Sequence, residues 1–194
     1  MDKLAKESKL NKAMIFYYFK NKQGLYEEVI IKVLNDIYNA VLDENKKHSN
    51  ATDKLKGFIA CFSNYAWKHP ALSSLLLREL SKNSDISHTL FLNMKKLYQL
   101  FCDILLQGTK DGVFINSTDT PMPLYFMITG TINLMTTTKN IRVETNKNSD
   151  LNTNIEFNEK SISSYLIKQI IPILTTKIED NIMVHEYPKK LKEI

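Results

Sequence analysis

Several kinds of residue and motif that would commit a chain to chemistry are scarce or missing from these 194 residues. There are two cysteines, Cys61 and Cys102. Each stands alone in an apolar helical pattern, with no Cys-x-x-Cys and no adjacent histidine to make a metal site, so both are expected to be buried, reduced thiols. His48, His69, His88 and His185 are scattered, and the pair Asp85 and His88, three apart, lacks a third group to complete a constellation. The sequence has no Gly-x-x-x-x-Gly-Lys phosphate loop, no Gly-x-Gly-x-x-Gly, no Gly-x-Ser-x-Gly elbow and no His-Glu-x-x-His. No catalytic residues, no cofactor and no metal are therefore expected, and an enzyme is the reading least supported. No apolar run approaches the roughly 18 residues that span a bilayer, and no basic, apolar, small-residue leader opens the chain, which predicts a cytoplasmic protein without a membrane partner. Only five glycines and five prolines, with no sustained strand-like alternation, predict an all-α chain.

Charge and helical periodicity are what the sequence does have. The net charge is a modest +5. Residues 1–22 carry six lysines (Lys3, Lys6, Lys9, Lys12, Lys20, Lys22) against Asp2 and Glu7, a local net of +4, so most of the excess sits at one end. A solvated basic face would look the same by charge alone; the side chains interleaved with the lysines point further. Asn11 is a preferred N-cap, and the eight residues after it contain no Gly or Pro, which predicts a helix of about two turns over 11–19. Ile15 and Phe19 share a face expected to turn inward with Leu4, Ala5 and Leu10 of a preceding helix. The opposite face presents Lys12, Ala13, Phe16 and Tyr17, flanked by Tyr18 and Lys20. A small residue lets the backbone approach base edges while lysine and tyrosine reach bases or phosphates, so this face suits a DNA groove. After a short connector, Asn21 can cap the next helix beside Lys22, offering its first N–H groups to a phosphate.

The segment Leu4, Ala5, Ser8 to Phe19, Lys22 and Leu25 resembles the helix-turn-helix of TetR-type transcriptional repressors. It departs from that pattern at Lys9, where a turn glycine is usual and either strained backbone or a slightly different turn is needed, and at Phe16, where a tyrosine and its phosphate hydrogen bond are lost. The resemblance implies a repressor that a small-molecule effector releases from double-stranded operator DNA, with Asn11, Lys12, Ala13, Phe16, Tyr17, Tyr18, Lys20 and Lys22 at the DNA. It also implies a further helix ahead of these two, absent from the chain as written. Operator binding is accordingly expected to be poor, and a second function class stays open: a dimerising, effector-binding body that does not bind DNA by itself.

Behind the head at 1–22, periodic apolar residues predict a connecting helix over 23–45, a helical regulatory and dimerisation domain over 46–184, and a polar tail over 185–194. Within the domain, Thr52 or Asp53 is expected to cap a helix ending near His69-Pro70, and a second begins about there. A helix over 90–107, apolar almost all round, is expected at the centre and to end at the Gly108 region. Thr120 with Pro121 opens a helix carrying a small-residue notch at Thr129, Gly130 and Thr131; residues 139–160 read as a loop, and a last helix runs over 159–180 with a kink at Pro172. The last two long helices have more apolar surface than one small core needs. The resemblance implies that they pair with their copies in a homodimer. An effector pocket would lie between the body helices, with Phe62, Tyr65, Phe91, Met94, Tyr98, Phe101, Phe126 and Met127 as candidate linings. With no acidic residue placed among them, an apolar or lightly polar effector is favoured over a cationic one.

Overall fold

The computed structural model describes residues 2–81, 87–115, 121–139 and 158–176. Eight helices are described, and among the described residues there is no strand: α1 Asp2–Ser8, α2 Lys12–Phe19, α3 Lys22–Asn45, α4 Ala51–Lys68, α5 Pro70–Leu80, α6 His88–Lys110, α7 Pro121–Thr137 and α8 Glu159–Thr175. The chain is all-α, as its glycine, proline and periodicity pattern predicts.

Local chemistry sets most helix starts. Asn11 accepts from the Ala13 N–H and Asn21 from the Gly24 N–H, so α2 and α3 begin at the expected caps. The α4 cap is Asn50, whose side chain accepts from the Asp53 N–H, rather than Thr52 or Asp53. All three are good cap residues, and Asn50 is the one with extended backbone. Pro70 opens α5, where its missing N–H costs nothing. Ser87 caps α6, which begins at His88, two residues before the predicted point, and runs through Gly108 to Lys110. The glycine in the left-handed conformation just beyond it is Gly112, with φ +69°. Gly108 serves a different need. A Cβ there would stand 2.0 Å from the ring of Phe114, which folds back onto the helix and is fully buried. A capping box at Asn158 and Ser161 opens α8, which ends at Thr175 rather than near 180. The expected cap at Thr120, most of the loop over 139–160 and the tail over 185–194 lie outside the described residues.

The body is built around α4, which packs against α3, α5, α6, α7 and α8. Its inward faces carry Leu55, Phe58, Ile59 and Phe62, and Gly57 lets Glu44 of α3 come close. The centre of the domain is thus α4 rather than α6. The apolar residues spread around α6 include Phe91, Leu92 and Leu106, which face outward. Phe58, Phe101 and Tyr125 form an aromatic cluster joining α4, α6 and α7. Cys61 and Cys102 are free and half-buried, so the expectation of full burial was too strong. No described helix is long and apolar enough to cross a membrane.

Candidate functional site

The amino-terminal head consists of α1, α2 and the start of α3. Ile15 anchors α2 with 2% of its surface exposed, and Phe19 beside it is half-buried. Leu4 and Leu10, expected to turn inward, are exposed; among the described helices α1 packs only on α2, so one flank of it lies open. Two residues adopt positive φ. Lys9, at +57° in the turn between α1 and α2, bears out the strain expected from lysine at a position suited to glycine. Lys20, at φ +60° and ψ −54°, has no counterpart in the sequence pattern. The Asn21 N–H donates to the Phe19 carbonyl across it at 2.6 Å, a three-residue turn of the strained kind. This tight reversal brings the Phe19 carbonyl against α3 at Gly24, where a Cβ would stand 2.3 Å from that oxygen. Glycine at 24 is therefore required by close backbone approach and fixes the angle between α2 and α3.

The turn leaves one face of α2 uncovered. Asn11, Lys12, Ala13, Phe16, Tyr17, Tyr18, Lys20 and Lys22 are all exposed, Tyr17 to 82%, and the Tyr17 and Tyr18 rings meet edge to face at 5.4 Å. Lys12 pairs with Asp2 at 2.7 Å, holding the Asp2 carboxyl below the usual carboxylate range, and Lys22 lies over the Tyr26 ring at 5.4 Å. Both contacts are at the surface and exchangeable for a phosphate. The face is cationic at its edges and aromatic along its middle.

A second site lies behind the head. The first turns of α3 are gripped by the end of α5. The Gln23 side-chain amide donates to Glu79, whose buried carboxylate also meets Arg78 at 3.4 Å, and the Arg78 guanidinium sits 4.8 Å over the Tyr26 ring. Just past this grip, α3 and α5 part around a narrow crevice, open to solvent on one side, with about 30 Å³ of space, room for a water or two. Ile30, Val33, Leu34 and Ile37 of α3 form one wall, Leu72, Ser73 and Leu76 of α5 the other, with Phe62 and Tyr65 of α4 and Asn133 of α7 behind. Tyr65 donates to the Asp36 carboxylate at 2.7 Å and stacks against His69 at 4.8 Å. Burial, with the hydrogen bond to Asp36, pushes the Tyr65 phenol up to about 12; the same bond lowers Asp36.

Of the eight candidate lining residues, Phe62 and Tyr65 reach this crevice. Phe101 is wholly core, and Met94 and Tyr98 are half-buried elsewhere against the core. Phe91, Phe126 and Met127 are exposed on the outside of the body. Helical periodicity marks an apolar face but does not say whether it meets core, cavity or solvent. The α3 wall and Ser73 were missed. Asn133, a lone amide between Ile132 and Leu134, was the one available signal. Among the described residues no group of three or more His, Cys, Asp or Glu side chains could hold a metal ion.

Residues 1–29 match the family model described as bacterial regulatory proteins, tetR family. A comparison with curated proteins finds no match. Among solved structures the chain is similar to the transcriptional regulator FadR from Bacillus subtilis in complex with stearoyl-CoA, at 18% identity and a TM-score of 0.70, covering 89% of this chain and 87% of that one. A bacterial regulatory protein of the tetR family from Rhodococcus RHA1 is similar at 13% identity and a TM-score of 0.61, covering 91% and 86%. The ketosteroid transcriptional regulator KstR2 of Mycobacterium tuberculosis is similar at 14% identity and a TM-score of 0.57, covering 90% and 83%. At such identities the likeness is one of fold.

Proposed function

We propose that this chain, whose residues 1–29 match the model of the tetR family of bacterial regulatory proteins, is a homodimeric transcriptional repressor of that family that leaves its operator when a small molecule enters the crevice between α3 and α5. The observation that carries this reading is the exposed face of α2, from Lys12 to Tyr18, inside the stretch that matches the family model. Ala13 allows the helix to sit deep in a major groove, Lys12 and Tyr17 meet base edges or phosphates, and Lys20 and Lys22 meet the flanking backbone. The helical body with a crevice supports the effector half of the reading. So does the likeness in fold to a regulator solved with stearoyl-CoA.

Two reading helices about 34 Å apart are needed to engage successive major grooves, which requires a second copy. Supporting that copy is an apolar stripe on the outside of α7 and α8: Met122, Phe126, Met127, Leu134, Tyr165 and Ile173 are exposed. A Cβ added at Gly130 would meet nothing within 4 Å, which leaves room on α7 for close approach. An isologous pairing through this stripe buries it.

In vitro selection from a random duplex pool tests the reading. The protein is expected to enrich an inverted repeat whose half-sites lie about one helical turn apart. Enrichment of no sequence, or of a single unrepeated site, would contradict it.

A further inference from the structure

Two polar side chains in the α3/α5 crevice have no partner to account for them. Asn133 is 7% exposed and Ser73 4%, both line the crevice, and neither side chain makes a hydrogen bond among the described residues. The contrast with their neighbours is informative. Thr129 and Thr136, buried on the same helix as Asn133, satisfy their hydroxyls on the carbonyls of Tyr125 and Ile132. The fully buried side-chain atoms without a partner among the described residues are Asn45 Oδ1 and Ser63 Oγ, so the Asn133 and Ser73 polar groups open onto the crevice, where a ligand oxygen would take the place of water.

The rest of the lining narrows the ligand further. It is aliphatic on the α3 and α5 sides and contains no lysine or arginine. The Asp36 carboxylate sits directly behind Tyr65 and accepts the hydrogen bond from its hydroxyl. An anionic ligand would therefore find only the His69 imidazole, stacked on Tyr65, as a candidate countercharge, and that group is already set beside the Asp36 carboxylate. From this juxtaposition we infer that the crevice recognises a slender, uncharged apolar molecule carrying one hydroxyl or carbonyl oxygen, bound by the Asn133 amide and the Ser73 hydroxyl. The inference rests on the crevice being the effector site and adds the chemistry of what fills it.

Isothermal titration calorimetry of the full chain with n-octanol, n-octane and octanoate separates the possibilities at constant chain length. In a wholly apolar crevice octane would bind best, since it has no polar group to desolvate. The Asn133 and Ser73 pair reverses that order: octanol is expected to bind about ten- to a hundredfold more tightly than octane or octanoate. Asn133→Leu, which keeps the volume, is expected to remove the preference for octanol over octane, and Ser73→Ala to reduce it. Leu76→Trp, which fills the crevice, is expected to abolish octanol binding. Octane or octanoate equalling octanol, or a preference surviving both Asn133→Leu and Ser73→Ala while Leu76→Trp still blocks binding, would overturn the ligand class and leave the site standing. No binding by octanol, or binding untouched by Leu76→Trp, would overturn the site itself and the ligand class with it.

Discussion

Single residues decide how the head is set and how the crevice is lined. Gly24 has no freedom to be larger, because the atom it would strike is the Phe19 backbone carbonyl rather than a movable side chain. Gly24→Ala is expected to destabilise the protein by about 1–3 kcal/mol, and Asn21→Ala, which removes the α3 cap, by about 1 kcal/mol. Thermal melts would check both, and a Gly24→Ala melt equal to wild type would show that α2 and α3 yield to an added methyl group. At Tyr65 the hydroxyl favours the ionised form of Asp36, so that carboxyl titrates lower in the folded chain than in the unfolded one. Its contribution is present above the unfolded aspartate value, about 3.9, and is lost as pH falls through the folded value. The stability gap between wild type and Tyr65→Phe is therefore expected to shrink below about pH 4. Urea midpoints at neutral and acid pH measure it, and a gap unchanged by acid would contradict this role for Asp36. Some of these residues are legible in the sequence: Asn11, Asn21 and Pro70 act on their nearest neighbours, and local spacing reveals them. Gly24 and Gly108 are not, because the atoms they make room for, the Phe19 carbonyl and the Phe114 ring, are brought there only by turns that follow or precede them.

At the level of helices, the contact that matters most is the grip of α5 on the first turns of α3. Glu79 is a buried carboxylate held by Gln23 and Arg78, and the crevice wall begins further along α3 at Ile30. A ligand that spreads α3 from α5 must strain this grip, and α3 carries α2 with it through the fixed turn at Lys20 and Gly24. Gln23→Ala leaves the Glu79 carboxylate short of one donor and is expected to cost about 1–3 kcal/mol. It should also speed hydrogen exchange over the first turns of α3 more than over α4 and α6. Exchange raised equally in all three helices would mean that the grip serves general stability rather than the position of the head. The sequence locates α3 and α5 well, since each has a clear period, with Asn21 capping the first and Pro70 opening the second. It does not show that their apolar faces fail to meet along part of their length, because that gap depends on how α4 and α7 hold them apart. The centrality of α4 over α6 was hidden for a similar reason: an apolar residue counts the same in a pattern whether it faces core, as Phe101 does, or solvent, as Phe91 does.

For the molecule as a whole, two copies are needed to bring two reading helices to one duplex. Phe126 and Leu134 are on the uncovered side of α7, so Phe126→Glu with Leu134→Glu is expected to leave the melt of the body nearly unchanged or lower it through lost pairing. Sedimentation should then fall from twice the 22.5 kDa chain mass to a single chain. A doubly substituted protein that stays dimeric would place the interface elsewhere. The all-α architecture was legible at this scale, from scarce glycine and proline and steady three- and four-residue spacing. The proposed pairing rests on surplus apolar surface on the last two long helices, which the sequence already showed. The central claim is that the exposed face of α2 reads a duplex. It is tested most directly by fluorescence anisotropy on a selected duplex and on a scrambled one, across a range of salt, for wild type, Lys12→Ala and Lys22→Ala. Lys22→Ala is expected to weaken binding to both duplexes alike and to flatten the salt slope by about one ion, whereas Lys12→Ala also narrows the ratio between them. Unchanged affinity in both variants on both duplexes would contradict it.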